Sequence, residues 1–295
     1  MVERKTPGEI ILLVFIYAAV TLVGFVCLYP MLYCLAASFS DPMKLLTHSG
    51  ALFFPTGFSL RGYQVVMNNP NILIGYRNTL LYVAGSLIVG MTLTPLGAYA
   101  LSCKGYPFRK AIVFLFVFTM YFSGGLIPTY TVVRSLHLTN SRLGIILLGS
   151  VSVYNIILIR SYFRSSLPEE LREAAEIDGC SNLDFFFQIA LPLATPIIAV
   201  IAMYIAEGMW NSYFNAMVYL TDIDKYPLQN FLREILLQGE ANTDLTDPET
   251  AAERAYIMQM LKYCVIVLSS LPMMLLYPFI QRFFVTGLMI GSLKG

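Results

Sequence analysis

The sequence predicts an all-α membrane protein with six transmembrane helices, and three observations carry that reading. Only 13% of the 295 residues are charged and 57% are hydrophobic, whereas soluble domains carry about 25% charged residues. Mean hydropathy is +0.67. Five runs stay apolar over about 20 residues, and a sixth, interrupted run has similar length, enough helix to cross a hydrocarbon core about 30 Å thick. Barrel strands are shorter and alternate in polarity, and in lipid only a helix or a closed barrel satisfies its own backbone hydrogen bonds.

The spans fall at about 10–37, 78–103, 111–130, 143–162, 196–220 and 263–280. The first follows MVERKTPGE. Its apolar core exceeds the roughly 7–15 residues of a signal peptide and no small-x-small site closes it, so it reads as a retained span. The second and third flank a short connection with Lys104, Arg109 and Lys110. The fourth and fifth flank the 163–192 loop. The longer connections, 38–77 and 221–262, lie on the opposite side, and 226–237 (YPLQNFLREILL) has the pattern of an amphipathic helix.

Six spans put both termini on one side. Of the 19 Lys and Arg residues, that side holds Arg4, Lys5, Lys104, Arg109, Lys110, Arg160, Arg164, Arg172, Arg282 and Lys294. The rest are spread over longer segments, so cation density places both termini and the 163–192 loop in the cytoplasm. A net charge of +1 gives no global field for nucleic acid. Cys27, Cys34, Cys103, Cys180 and Cys264 form no CxxC pair, and four of the five, at or within spans, read as small buried hydrophobes. With His48 and His137 the only histidines, a metal site has little to build on, and no catalytic cluster lies within the spans.

The 163–192 loop is longer than a connection requires. Residues 169–193 (EELREAAEIDGCSNLDFFFQIALPL) hold six acids: Glu169, Glu170, Glu173, Glu176, Asp178 and Asp184. Ser166 with Glu169 three residues on has the form of a capping box, with Pro168 in the first turn. A helix over about 168–178 would put Leu171, Ala174 and Ala175 on one face. Gly179 then stands where a helix ends in positive φ. Ser181 and Asp184 start a second helix, whose apolar side (Leu183, Phe186, Phe187, Ala190) runs to a stop at Pro192. The result is a helix–turn–helix elbow. Its acids disfavour rest on anionic lipid and favour a protein partner.

The spacing Glu173-Ala174-Ala175, three residues, Gly179, nine residues, Ile189-x-Leu191-Pro192 resembles the EAA signature of ABC importer permeases at all seven of its fixed positions. Asp178 completes the common DG pair. The resemblance extends to NTLLYV (78–83), AYALS (98–102), FSGGLIPTY (122–130), WNSYFNAMVYL (210–220), YPLQNFLREILL and the tail QRFFVTGLMIGSLKG (281–295). These segments look like the MalG-like subunit of the carbohydrate uptake type 1 branch, in the subgroup associated with oligosaccharides from complex polysaccharides. The resemblance implies a type I importer permease fold in a bacterial cytoplasmic membrane. It also implies partners: a homologous second permease, an ABC ATPase dimer that holds ATP and Mg, an extracellular sugar-binding protein and an oligosaccharide substrate. No cofactor is expected on this chain. Glu173, Ala174, Ala175, Asp178, Gly179, Ile189, Leu191 and Pro192 would then form the ATPase-coupling elbow.

Trp210, Asn211, Tyr213 and Phe214 fall in the fifth span, which borders the cavity in that family; aromatic faces suit sugar rings and an amide suits their hydroxyls. The bland alternative is an interfacial aromatic belt. Glu207 lies one turn earlier in an apolar run, and an intramembrane acid by default faces a cavity or a partner. An ionised Glu207 on the path would favour neutral or mixed oligosaccharides over polyanions such as alginate or pectin fragments. The tail, with Gly287, Gly291, Ser292, Lys294 and Gly295, is either a frayed terminus or, by resemblance, a segment that reaches between the ATPase subunits. The 221–262 loop is expected, again by resemblance, to reach into the binding protein. A permease for peptides or polyamines is the nearest competing reading. A secondary transporter would not need the elbow.

Overall fold

The computed structural model describes residues 6–241, 260–278 and 281. They are almost wholly helical, without a β-strand among them; the nearest thing to one is an isolated antiparallel bridge between Ser40 and Phe58. The chain divides into two units, residues 1–70 with 232–271, and residues 71–231 with 272–295.

In the first unit, α1 (Pro7–Ser38) opens on a capping box in which Thr6 and Glu9 bond each other's backbone N–H. Only its last three residues, Ala36, Ala37 and Ser38, are buried. The remaining face of aliphatic and aromatic side chains is exposed, which water would penalise and lipid does not. The segment after α1 is ordered rather than loose. It holds α2 (Pro42–Thr47) and α3 (Arg61–Met67). The Tyr63 hydroxyl donates to Ser38 Oγ at 2.8 Å, and the Thr56 N–H donates to Ser40 Oγ at 3.0 Å. Tyr33 meets Tyr263 edge-on at 5.9 Å, beside Ala37, Leu45 and Leu52.

The second unit runs through α4 (Pro70–Ser102), α5 (Arg109–Tyr121), α6 (Leu126–Ser135), α7 (Arg142–Ser150), α8 (Val153–Ser166), α9 (Glu169–Ile177), α10 (Asn182–Phe185), a π turn (Phe186–Ala190), α11 (Leu191–Leu193), α12 (Thr195–Trp210), α13 (Phe214–Tyr219) and the start of α14 (Leu228–Ala241). The last span, α15, is Met260–Pro278. Three helices are single candidate spans: α1, α4 and α15. The other three are bent pairs: α5 with α6 at 118°, α7 with α8 at 41°, and the 182–193 helix with α12 at 82°. Counting each bent pair as one crossing gives six.

Several boundaries differ from the hydropathy reading. The second helix begins at Pro70, not near 78, and its 33 residues span about 50 Å. Hydropathy missed its first two turns because Asn71, Arg77 and Asn78 interrupt the apolar run. The third run breaks at 122–125, where Gly125 takes φ +86°, and the fifth breaks at 211–213. Two apolar layers hold the unit. One joins Ala98 and Leu101 of α4 to Ile156 and Ile159 of α8 and Ile201 and Ile205 of α12. The other gathers Tyr82, Val133, Ile145, Met209 and Tyr219. A Cβ at Gly90 would collide with the Ser150 carbonyl oxygen, so glycine there permits the close crossing of α4 by the end of α7.

Candidate functional site

The elbow is built on buried rings. Phe185 and Phe186 lie 6.3 and 5.1 Å from the ring of Tyr99, near the end of α4, and Phe163 of α8 meets it edge-on at 5.9 Å. All four are buried. Ala175 is buried in the same cluster, with Ile189 and Leu191 packed against it. Three of the motif positions therefore attach the elbow to the spans. Gly179 serves differently: at φ +79° its N–H donates to Glu176 O at 3.1 Å, and the Cys180 N–H donates to Ala175 O at 2.9 Å. That pair of bonds is a Schellman motif, and only glycine enters it without steric cost.

Arg172 ties the two arms together. Its Nε donates to Glu176 at 3.2 Å, and a terminal nitrogen donates to Asn182 Oδ1 at 3.2 Å. Lys104 pairs with Glu169 at 3.3 Å. A cavity of about 130 Å³ lies beside this seam, bordered by Tyr99, Lys104, Glu169 and Arg172.

The outward side carries Glu173, Ala174, Asp178 and Pro192, all exposed. Beside them Ile177 is 86%, Leu183 64% and Phe187 57% exposed. Acids around uncovered apolar side chains form a surface suited to a protein cleft with some positive charge.

Two details correct the sequence reading. Ser166 is the last residue of α8, not a cap; Pro168 precedes α9 without a side-chain cap bond. The helix runs through Ser165 and Ser166 and ends at its C-cap, Leu167, whose N–H bonds to Phe163 O at 3.0 Å. The second arm does not stop at Pro192, and Leu183 and Phe187 are not on its buried side. A π turn over 186–190, with the Leu191 N–H reaching Phe186 O, swings Phe185 and Phe186 inward together. The wide turn also relieves the clash that proline makes with the carbonyl four residues back. The Ser181 cap stands as read: its Oγ accepts from the Asp184 N–H at 3.2 Å.

At the far end of α12 the proposed path residues separate. Trp210 is buried, 6.1 Å from the ring of Tyr76. Glu207, Asn211, Tyr213 and Phe214 are exposed. Asn211 ends α12, its N–H bonded to Glu207 O at 3.0 Å. Tyr204, Glu207 and Asn211, spaced three and four apart, lie on one exposed stripe of the helix. Sequence reasoning missed Tyr204; the same spacing in the sequence pointed to it. Among the described residues no group of His, Cys, Asp and Glu is placed to hold a metal ion. The tail positions Gly287, Gly291, Ser292, Lys294 and Gly295 lie outside the described residues.

Beyond α13 the 221–228 segment is fastened to α4. Asn78 Nδ2 donates to the carbonyls of Asp224 (2.8 Å) and Tyr226 (2.9 Å). The Tyr82 hydroxyl donates to Lys225 O at 2.6 Å, and the Leu228 N–H donates to Thr79 Oγ1 at 2.9 Å. Asn140, at φ +50°, accepts on Oδ1 from the N–H groups of Thr221 and Asp222. Asn78, Thr79 and Tyr82 are fully or almost fully buried.

Residues 107–289 match the family described as binding-protein-dependent transport system inner membrane component. The polygalacturonan/rhamnogalacturonan transport system permease protein YtcP of Bacillus subtilis is 37% identical, over 95% of this chain and 97% of its own length. Protein LplC of the same organism is 37% identical, over 92% of this chain and 91% of its own. The solved structure of a bacterial ABC transporter involved in the import of the acidic polysaccharide alginate contains a chain of the same fold. It aligns with TM-score 0.84 and 29% identity over 95% of this chain and 99% of that one.

Proposed function

Because the chain belongs to the binding-protein-dependent transport system inner membrane component family, we propose that it is the permease subunit of an ATP-driven importer of oligosaccharides. In this reading a binding protein delivers the sugar, a homologous second permease completes the pathway, and a cytoplasmic ATPase dimer holds ATP and Mg. Both termini and the elbow face the cytoplasm, in keeping with the density of Lys and Arg there.

The observation that carries the reading is the division of labour within the elbow. Ala175, Ile189, Leu191 and the rings of Phe185 and Phe186 bind it to α4 and α8. Glu173, Ala174, Ile177 and Asp178 stand free of the chain's own core. A rigid element anchored on one side and uncovered on the other can carry a partner's displacement into the spans. Closure of the ATPase dimer on ATP would push the elbow, and the elbow would move α8 and α12, whose ends it joins. The cavity would then open outward.

On the substrate side, Glu207, Asn211, Tyr213 and Phe214, with Tyr204, would face the path. Trp210 would support them from behind. The named substrates of the relatives favour fragments of acidic polysaccharides. If Glu207 faces the path ionised, neutral or mixed oligosaccharides are favoured over these, since like charges repel.

The deciding experiment is ATPase activity of the reconstituted complex with its binding protein, across oligogalacturonides, alginate fragments and neutral oligosaccharides. Stimulation by a sugar class supports the importer reading and names the substrate. Assembly of the ATPase without stimulation by any sugar would remove the carbohydrate assignment and leave the coupling role. Glu207→Gln with unchanged transport kinetics and assembly would remove that residue from the path.

A further inference from the structure

We propose that the pocket between α5 and α8, at the elbow end of the unit, binds the headgroup of an anionic phospholipid. The pocket measures about 440 Å³, and four of its lining residues are cations: Arg109, Lys110, Arg160 and Arg164. Ion pairs among the described residues include Lys104–Glu169, Arg172–Glu176 and Lys225–Asp222. None involves these four. Like charges gathered in one concavity repel, and an anion is the group that relieves them.

The site is partly preorganised. Arg109 donates to Cys103 O at 2.9 Å, and Arg160 Nε donates to Leu101 O at 3.0 Å. Both guanidinium groups are therefore held at the C-terminal end of α4, where its last carbonyls favour cations. Each guanidinium has five donors, so most stay available for phosphate oxygens. Phosphate recognition by arginine gains from this fixed fork.

The other wall argues for lipid rather than a soluble phosphate. Val113, Phe114 and Val117 continue from the cations along α5, and α5 has no buried residue. Phe114 is 68% exposed and its ring stacks toward Phe118 at 6.5 Å. A phosphate at the cations thus places an acyl chain along an apolar helix face already turned outward, which is how charged and apolar groups are arranged at a membrane interface. Arg164 also borders the small cavity beside the elbow, so the occupied site adjoins the seam between α8 and α9.

The test uses the assembled transporter, purified from membranes containing phosphatidylglycerol and phosphatidylethanolamine, with retained lipid counted by native mass spectrometry. The variant is K110Q/R164Q, because neither side chain donates a hydrogen bond to another described residue. The expected result is at least about tenfold less phosphatidylglycerol retained by the variant, from two charges removed near the headgroup. Phosphatidylethanolamine should not change, and Lys104→Gln, a cation at the same end outside the pocket, should retain lipid as the native complex does. Equal retention by the double variant would overturn the proposal. So would an equal loss in Lys104→Gln, absence of the lipid from the native complex because another subunit covers the pocket, or displacement of the lipid by soluble glycerol phosphate. Lipid retention is read without sugar or ATP, so its outcome is independent of the transport reading.

Discussion

At one end of residues 71–231 the elbow turns its rings inward and leaves acids, Ile177, Leu183 and Phe187 uncovered. At the other end the 221–228 segment turns its backbone polar groups inward, onto Asn78, Thr79, Tyr82 and Asn140. Both are connections between spans, yet their physics is opposite. The elbow is held by apolar packing, which is non-directional but close enough to transmit a displacement. The 221–228 segment is held by hydrogen bonds of defined length and direction, which keep one geometry. Under the proposed function the elbow takes its displacement from a partner, and the first construction leaves its outer face uncovered for that contact. A segment that must keep its place suits the second.

The largest effect is expected at Tyr99. Tyr99→Ala removes the ring against which Phe163, Phe185 and Phe186 pack, and loss of about 3–5 kcal/mol is expected from such a core truncation. A thermal melt of the detergent-solubilised complex would measure it, and proteolysis within 163–192 should rise in parallel. If the melt is unchanged, the elbow is not anchored by rings.

Asn78→Ala probes the other end. It leaves the carbonyls of Asp224 and Tyr226 without their donor, at about 1–3 kcal/mol. Proteolysis should increase at 221–228 and stay unchanged in the elbow. Increased cutting at both ends would mean that the two constructions are not independent.

Gly179 separates backbone strain from packing. A Cβ there meets nothing within 4 Å, so any cost comes from φ alone. Gly179→Val should destabilise by about 1–3 kcal/mol and abolish co-purification of the ATPase. Gly179→Asn, which enters the left-handed region readily, should retain most of both. Equal behaviour of the two would exclude a conformational cause.

Ile177→Gln should do little to the fold. The side chain is 86% exposed, so stability should change by less than about 0.5 kcal/mol, while sugar-stimulated ATPase activity falls. A stability loss like that of Tyr99→Ala would place Ile177 in the core.

The smallest effect is expected from acid. The Asp222 carboxyl is held below its usual range by the bond from Lys225, at 2.8 Å, and then by Asn140. A depressed folded-state value stabilises above the unfolded pKa of about 3.9 and is lost as pH falls through the folded value. Asp222→Asn should therefore remove a small part of the melting-temperature decrease between about pH 5 and about pH 3.

The features legible in the sequence were those set by local rules. Gly179 and the Ser181 cap could be read because positive φ and a free helix N–H each require a particular side chain at a particular position. The membrane class could be read because apolar length responds directly to bilayer thickness. Ser166 misled because a capping box has meaning only if the preceding helix has ended, and α8 had not. The burial of Trp210 was not legible because its residue type says nothing about which side of α12 is covered. The π turn at 186–190 left no local signal, since three consecutive phenylalanines allow more than one register.

A six-span helical membrane protein with a conspicuous acidic elbow was readable from local pattern, because hydropathy, glycine and caps act over a few residues. Where the spans bend, which ring anchors the elbow, that Trp210 is buried and that four cations share one pocket came from packing. Each of these depends on which helix faces are brought together by packing, and that is a property of residues far apart in the chain.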